Sequence, residues 1–466
     1  MKKKVTFSDI NAAIAQWVDD PSIGDAGDFH LYKVLQHAIA NSVSGFNQKK
    51  IPYKLHLPVW LQRLRYRLKS TLSKPVAQIE LAPIVVIDDA RRKKMEDGKT
   101  GSFFFSGTFQ WLEERGYSYS ILPRAKSKDD IGFIASYNEL REYCNTPLSR
   151  AEIGVLIAIR EVAVDCANFD LPDFRDHLYS ALQIFFEDFH CYYQLFKGQG
   201  IRTLLMTTHY HSEGMILAAR MHKIEVIEYQ HGLIAPKDVY YCYPKIVERI
   251  ADKALFADRI LVFGDYWKRV LLEGHEYPEH KISVVGDYGA TGEPSGETSN
   301  EIEKENAIFV GTQKTMADAY VDYLKPLAEL LLEKHPDWKL IVKLHPFEPE
   351  PEKYDALLVY RNCEVIGTEA SLVKLFQRSR IQITIYSTTL FDALGYGVHN
   401  FAIQHYTQSS DYAEDMVKLG VAEGLLTDED PVERYLNSAS RTEQMRRSDV
   451  YASFSPEVLN SILKVE

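Results

Sequence analysis

The chain is 466 residues long, enough for about three domains of ordinary size or two larger α/β ones. Its 54 basic and 65 acidic side chains leave a net charge of −11, which excludes a general attraction to nucleic acid; 45% hydrophobic and 26% charged residues exclude disorder as the main state. The cysteines, Cys144, Cys166, Cys191, Cys242 and Cys363, are scattered and form no CxxC, so neither a disulfide framework nor a zinc ribbon is expected, and a reducing cytoplasm is the natural compartment.

The first 80 residues read as a helical extension. Its start, MKKKVTFSDINAAIAQWVDD, meets acids too early for a signal peptide, and nothing in the chain approaches the roughly 18 apolar residues of a spanning helix. Within the extension Leu57, Leu61, Leu64, Leu68 and Leu72 share one helical stripe flanked by Arg63, Arg65, Arg67 and Lys69. Such a basic amphipathic helix suits either core packing or an anionic membrane surface.

From Pro83 onward, strand-length apolar runs alternate with helical patterns, which predicts parallel βαβ units covered on both faces. Strands are expected at Pro83 to Asp88, Tyr117 to Leu122, Thr203 to Thr208, Val226 to Gln230, Ile260 to Phe263 and Ile282 to Val285. Helices at Arg150 to Phe169 and Asp173 to Phe196 form an insertion between the second and third. A Gly-, Ser- and acid-rich stretch, Tyr288 to Asn306, separates domain 81–290 from domain 306–466. Beyond it the predicted order is strand Ala307 to Val310, helix Ala317 to Lys334, strand Lys339 to Leu344 and a short helix near Tyr354. Strand Val365 to Ile366, helix Leu372 to Gln377, strand Gln382 to Ile385, helix Thr389 to Gly395, strand Phe401 to Ile403 and terminal helices complete it. The fold class is α/β with two Rossmann-like domains, whose ligands are expected beyond the carboxyl ends of the strands.

Several polar clusters fall at such ends. Lys343-Leu-His345-Pro346 closes one strand, placing an imidazole and an ammonium where an anionic phosphate would sit. Ser387, Thr388 and Thr389 follow another and open a helix, which gathers hydroxyls and free N–H groups; the same pattern also serves simple helix capping. Asp392, one turn on, is placed for ribose hydroxyls or for solvent. In the first domain Thr207-Thr-His209-Tyr-His211-Ser-Glu213-Gly214 and Glu228-Tyr-Gln230-His231-Gly232 follow adjacent strands, and Asp88 and Asp89 close the first strand ahead of the Lys99 to Ser102 loop. His209 and His211 lack a third ligand at zinc-like spacing, so no metal is assigned. Asp428-Glu-Asp430 has DxD form but precedes Pro431 and reads as a helix cap.

The order Gln230-His231-Gly232, Val285-Gly286, Lys343-Leu344-His345-Pro346, Ser387-Thr388-Thr389 and Asp392-Ala393-Leu394 with Gly397 resembles the bacterial GT-B glycosyltransferases of surface-polysaccharide synthesis. These include capsule and lipopolysaccharide transferases for Kdo and sialic acid and the CDP-glycerol transferases. The likeness spans about residues 200 to 405. It implies two Rossmann-like domains facing an interdomain cleft, an acceptor held by the first and a donor nucleotide by the second. It also implies phosphate contacts from His345, Ser387 and Thr388, and a ribose contact from Asp392, where the family usually has a glutamate. The acidic-acidic-glycine base motif of several sialyltransferases is absent, because Ala90 follows Asp89.

The activity so implied is metal-independent transfer of a sugar from a nucleotide donor, CMP-linked as with Kdo or a sialic-acid-like sugar, to a bacterial surface polysaccharide. No cofactor beyond the donor is expected. Donor phosphate would be held by Lys343, His345, Pro346, Ser387, Thr388, Thr389 and Asp392. The base would come from Glu213, His211 or Asp89, in that order, with His231 in the same catalytic cluster. Expected partners are the nucleotide-sugar, a glycan or lipid-linked glycan and an anionic membrane surface, without nucleic acid, in the cytoplasm or at its membrane face. Alternatives are a CDP-glycerol or ribitol phosphotransferase, a UDP-sugar transferase or epimerase, and a non-catalytic scaffold of a polysaccharide complex.

Overall fold

The computed structural model describes residues 33–34, 36, 80–88, 92–94, 100–102, 104–123, 174–234, 238, 240–243, 255–286, 304–313, 316–345, 348–367, 370–385, 387–404, 410–438, 445 and 447–463. The chain divides into two compact units. Unit 1 is Met1–Phe263, Trp267–Ala290 and Ser453–Glu466; unit 2 is Gly264–Tyr266 and Thr291–Ala452.

Unit 1 runs through β1 (Ile84–Asp88), the hairpin β2 (Arg92–Lys94) and β3 (Thr100–Ser102), α1 (Ser106–Glu114), β4 (Tyr119–Pro123), α2 (Phe174–Phe196), β5 (Thr203–Met206), α3 (Glu213–Met221), β6 (Glu225–Tyr229), β7 (Arg259–Val262), α4 (Asp265–Arg269) and β8 (Ile282–Val284), α4 straddling the boundary. Six of these strands pair in parallel in the order β4-β1-β5-β6-β7-β8. Their sequences are mainly apolar, because a parallel sheet with both faces covered leaves no side for water. β1 and β5 are buried throughout.

Unit 2 contains β9 (Glu305–Gly311), α5 (Ala317–Lys334), β10 (Lys339–Lys343), a 3-10 turn at Pro351–Leu357, β11 (Cys363–Ile366), α6 (Leu372–Arg378), β12 (Ser379–Thr384), α7 (Thr389–Asp392), β13 (His399–Ile403), α8 (Ser410–Lys418), β14 (Glu423–Leu425), α9 (Pro431–Asn437) and α10 (Arg447–Val450). Its parallel sheet has the order β11-β10-β9-β12-β13-β14. Alternate residues of β9 enter opposite layers, following the period of two of a strand. Ile308 and Val310 pack with Tyr320, Leu324 and Leu331 of α5, whereas Ala307 and Phe309 pack with Leu375 and Phe376 of α6. Both faces are therefore covered, and the chain is an α/β protein of two Rossmann-like units, as the GT-B class has.

Each strand expected from Pro83 onward is present, with ends displaced by up to three residues. The strand β14 and the β2–β3 hairpin were not anticipated, being too short to show an alternation. The helix expected over Thr389 to Gly395 stops at Asp392 because Gly395 and Gly397 take positive φ, +87° and +65°. The final helix, α11 (Pro456–Leu463), clusters with unit 1 rather than with the domain 306–466 to which its position assigns it. Leu459, Ile462 and Leu463 are buried, the Ser455 N–H donates to the Val285 carbonyl at 2.8 Å, and the Tyr117 hydroxyl donates to Asn460 at 3.1 Å. The Arg150 to Phe169 helix, residues 287–303 of the linker and nearly all of the 1–80 extension, with its basic stripe, lie outside the described residues. Among the described residues no helix is long and apolar enough to cross a membrane.

Candidate functional site

In a doubly wound sheet the ligand site falls where strand order reverses. In unit 1 that point lies between β1 and β5. Asp88 ends β1 there; it is buried, and its Oδ1 accepts the Ser102 hydroxyl at 2.8 Å. The same hydroxyl accepts the Phe105 N–H at 3.0 Å, so the β3 end is pinned over the end of β1. Asp89 lies outside the described residues.

The segment after β5 carries His209, Tyr210, His211 and Glu213. His209 and Glu228, the latter on the neighbouring β6, are fully buried and joined through Nδ1 and Oε2. Glu228 also accepts the His209 backbone N–H at 2.9 Å and, on its other oxygen, the Tyr241 hydroxyl at 2.7 Å. Burial alone would raise the Glu228 carboxyl, but the His209 and Tyr241 hydrogen bonds and the imidazole's charge hold it below its ordinary value. Burial outweighs the carboxylate's pull and lowers His209.

Around this dyad sits an aromatic group. Tyr210 and Tyr240 stack with centroids 4.7 Å apart, and the Tyr210 hydroxyl meets His231 Nε2 at 3.1 Å. His211 is exposed and held at φ 60°, a left-handed conformation costing about 1–2 kcal/mol for a residue with a Cβ. Its N–H donates to Glu213 Oε1 at 3.2 Å. Glu213 begins α3, and its carboxyl is raised, chiefly by burial, against the charge of His211. Glu213, His211 and His231 thus gather at the ends of β5 and β6. Gln230 has a scaffold role: its oxygen accepts the Phe263 N–H at 3.0 Å and its amide donates to the Gly232 carbonyl at 2.8 Å.

In unit 2 the strand order reverses between β9 and β12. β9 ends in Gly311, and its neighbours β10 and β12 end in the His345 and Ser387–Thr389 segments. The two segments flank Gly311 two strand spacings apart, about 10 Å. The Thr312 hydroxyl accepts the His345 N–H at 2.9 Å and so fixes the backbone of the histidine. Lys343 is buried, and its ammonium turns along the strand to the Leu344 carbonyl at 3.4 Å. Pro346 lies outside the described residues.

The hydroxyl cluster is partly occupied from within. Ser387 Oγ accepts the Thr389 N–H at 3.3 Å, and Thr389 Oγ1 accepts the Gln382 amide at 2.7 Å. The Thr388 hydroxyl has no hydrogen bond among the described residues. Because α7 is a single turn, its dipole is small, and the hydroxyl and imidazole matter more than a helix start. Asp392 accepts the Tyr451 hydroxyl at 2.9 Å, and its carbonyl accepts from Arg447 at 3.4 Å, so it tethers the segment at α10.

Sequence reasoning quoted Glu228 and His209 but gave neither a role, and it missed Lys33, Tyr240 and Tyr241. The aromatic run Tyr240-Tyr-Cys-Tyr243 was a visible signal; Lys33, about two hundred residues from its neighbours, offered none. The candidate cap Asp430 is a cap: its Oδ1 accepts Val432 and Glu433 N–H groups at 3.0 and 3.2 Å. Its Oδ2 meets His335 at 2.9 Å, and with Glu433 these groups form a possible metal-holding cluster among the described residues.

No family model matches the chain, and neither does any curated protein. Similar solved structures include the UDP-GlcNAc 2-epimerase of Methanocaldococcus jannaschii, at 13% identity over 82% of this chain and 99% of that one, with a TM-score of 0.46. The Neisseria meningitidis UDP-GlcNAc 2-epimerase bound to UDP-GlcNAc shares 14% identity over 76% and 90%, with a TM-score of 0.44. A Rickettsia africae glycosyltransferase shares 13% over 69% and 78%, with a TM-score of 0.37.

Proposed function

We propose that the chain is a metal-independent glycosyltransferase that moves a sugar from a nucleotide donor, CMP-linked, onto a bacterial surface polysaccharide. Unit 2 holds the donor and unit 1 the acceptor. The observation that carries this reading is the crest of unit 2: a glycine-ended strand at the switch point, flanked by His345 on one side and Ser387 to Thr389 on the other. A Cβ added at Gly311 would meet the Phe309 ring at 3.5 Å and Thr389 Oγ1 at 3.7 Å, which sets this strand end beside the hydroxyl segment.

Breaking a glycosyl phosphate bond requires that the leaving phosphate's charge be stabilised while the acceptor hydroxyl loses its proton. His345, Lys343 and the Thr388 hydroxyl supply the first. Glu213, whose carboxyl burial moves toward neutrality, supplies the second, with His211 and His231 beside it. Lysine and imidazole take the charge-neutralising part because the DxD triplet after β14, Asp428-Glu-Asp430, commits Asp430 to capping α9. The acceptor is a glycan or lipid-linked glycan at the inner membrane face, which the basic leucine stripe of the extension would reach.

A thermal-shift panel of CMP, CDP, UDP and GDP tests the reading. A nucleotide at 100 times its Kd stabilises the folded state by about 2.7 kcal/mol. CMP should raise the melting temperature of the wild type and not of His345→Ala, with the unliganded melting temperatures alike. A response to CDP alone favours glycerol or ribitol phosphate transfer, and one to UDP alone the UDP-sugar enzymes. Silence toward all four at saturating concentrations refutes the donor site and favours a scaffold.

A further inference from the structure

Lys33 belongs to the extension for which the resemblance offers no counterpart, yet it is fully buried within unit 1. Its ammonium donates to Gln36 Oε1 at 2.8 Å and to the Tyr240 carbonyl, and lies 4.2 Å above the centre of the Phe256 ring. Gln36 in turn donates to the Cys242 carbonyl at 3.4 Å. The titratable groups that face the ammonium are the carboxyls of Glu213, Glu228 and Asp238, the Cys242 thiol and the His209 imidazole. The two side chains therefore hold the backbone carbonyls of Tyr240 and Cys242. The side chains of the same segment are held too: Tyr240 stacks on Tyr210, and Tyr241 reaches Glu228.

A lysine in such a place is poorly explained by packing. Burial lowers its pKa to about 8, so its charge is kept against the cost of leaving water, and a methionine would fill the volume without that cost. What an apolar residue lacks is a donor that binds a backbone carbonyl and a positive charge among three acids.

We propose that Lys33 is a positioning residue of the acceptor site, holding the Tyr240–Cys242 segment so that Tyr240 stays stacked on Tyr210 and Tyr241 stays bonded to Glu228. Through these contacts it fixes the segment His209 to Glu213 that carries the base. This inference rests on the assignment of unit 1 to the acceptor, and the experiment separates the two.

Lys33→Met, Lys33→Arg and Gln36→Ala are made in the full chain. Amide exchange is followed at Tyr241 and Tyr243, whose N–H groups bond Asp238 at 3.1 Å and His275 at 2.8 Å. Lys33→Met should speed exchange at these two amides by about tenfold or more while the β9 amides of unit 2 keep the wild-type rate. In turnover it should raise the acceptor KM or lower kcat by about tenfold or more with the donor KM unchanged. Lys33→Arg, which keeps the charge and a donor, should recover part of both. If Lys33→Met does not fold, Gln36→Ala should give the same pattern at smaller amplitude. Wild-type exchange in a folded Lys33→Met, or in Gln36→Ala where that stands in for it, overturns the proposal; so does a donor KM that changes with the acceptor KM. If the wild type transfers no sugar from any donor, the functional reading fails, and the exchange rates alone still decide whether Lys33 holds the segment.

Discussion

Replacing Glu228 by alanine strips partners from three buried groups at once: the His209 ring N–H, the His209 backbone N–H and the Tyr241 hydroxyl. Each such group left unpaired costs about 1–3 kcal/mol, so roughly 3–6 kcal/mol is expected once some relaxation is allowed. That is a large part of the roughly 5–15 kcal/mol that holds a domain folded. Glu228→Gln keeps the volume and an acceptor oxygen and should cost about 1–2 kcal/mol. Urea unfolding of the unit 1 transition reads both, with the slope unchanged. The pH dependence adds a second check. Glu228 is held below its ordinary value in the folded chain, so its stabilisation is present above its unfolded pKa and is lost as pH falls through its folded pKa. The gap between wild type and Glu228→Gln should therefore close in acid. His209, whose pKa burial lowers, costs both proteins stability as pH falls below its ordinary value. A Glu228→Ala penalty under about 1 kcal/mol, or a gap that ignores pH, would refute the account of the dyad.

Gly214→Ala should destabilise by about 1–3 kcal/mol or more, because the new Cβ would lie 2.3 Å from the Phe185 carbonyl oxygen and 2.7 Å from the Phe189 nitrogen, both backbone of α2. Gly200→Ala, with nothing within 4 Å, is the control in the same melting experiment, and equal melting temperatures would contradict the close helix approach. Lys223→Gly should stabilise by about 0.5–1 kcal/mol. Lys223 holds φ 60° at the end of α3, where the Ile224 N–H bonds Ala219 at 2.9 Å and the Lys223 N–H bonds Arg220 at 2.9 Å, a Schellman cap that glycine fits without strain. A lower melting temperature would refute this. Asp430→Ala should cost about 1–2 kcal/mol in chemical denaturation through the lost α9 cap, with Asp430→Asn closer to wild type.

Most of the strands were legible because buried parallel strands write themselves as apolar runs, whereas their order in each sheet emerges only from the fold. Residues such as His345 and Ser387 could be placed at strand ends for the same reason. What escaped were features set by packing at a distance. The internal use of Ser387 and Thr389 depends on Gln382 and on where α7 begins, and the short α7 depends on the φ values of two glycines. Asp392 looked like a ribose ligand because its tyrosine partner comes from Tyr451, far along the chain. Glu228 lies among the buried residues of β6, and only the fold reveals that His209 and Tyr241 meet it there.

Unit 1 is not continuous along the polypeptide, since its closing helix follows the whole of unit 2. During synthesis the ribosome delivers the second sheet before the first has its last wall, and Leu459, Ile462 and Leu463 are the pieces that arrive late. Nascent unit 1 must wait, partly open, until the segment from Ser453 onward is made, whereas unit 2 has all its strands earlier. Chaperone demand should accordingly fall on unit 1, and a cut just beyond Ala452, where unit 2 ends, should harm unit 1 more than the unit whose last residue it follows.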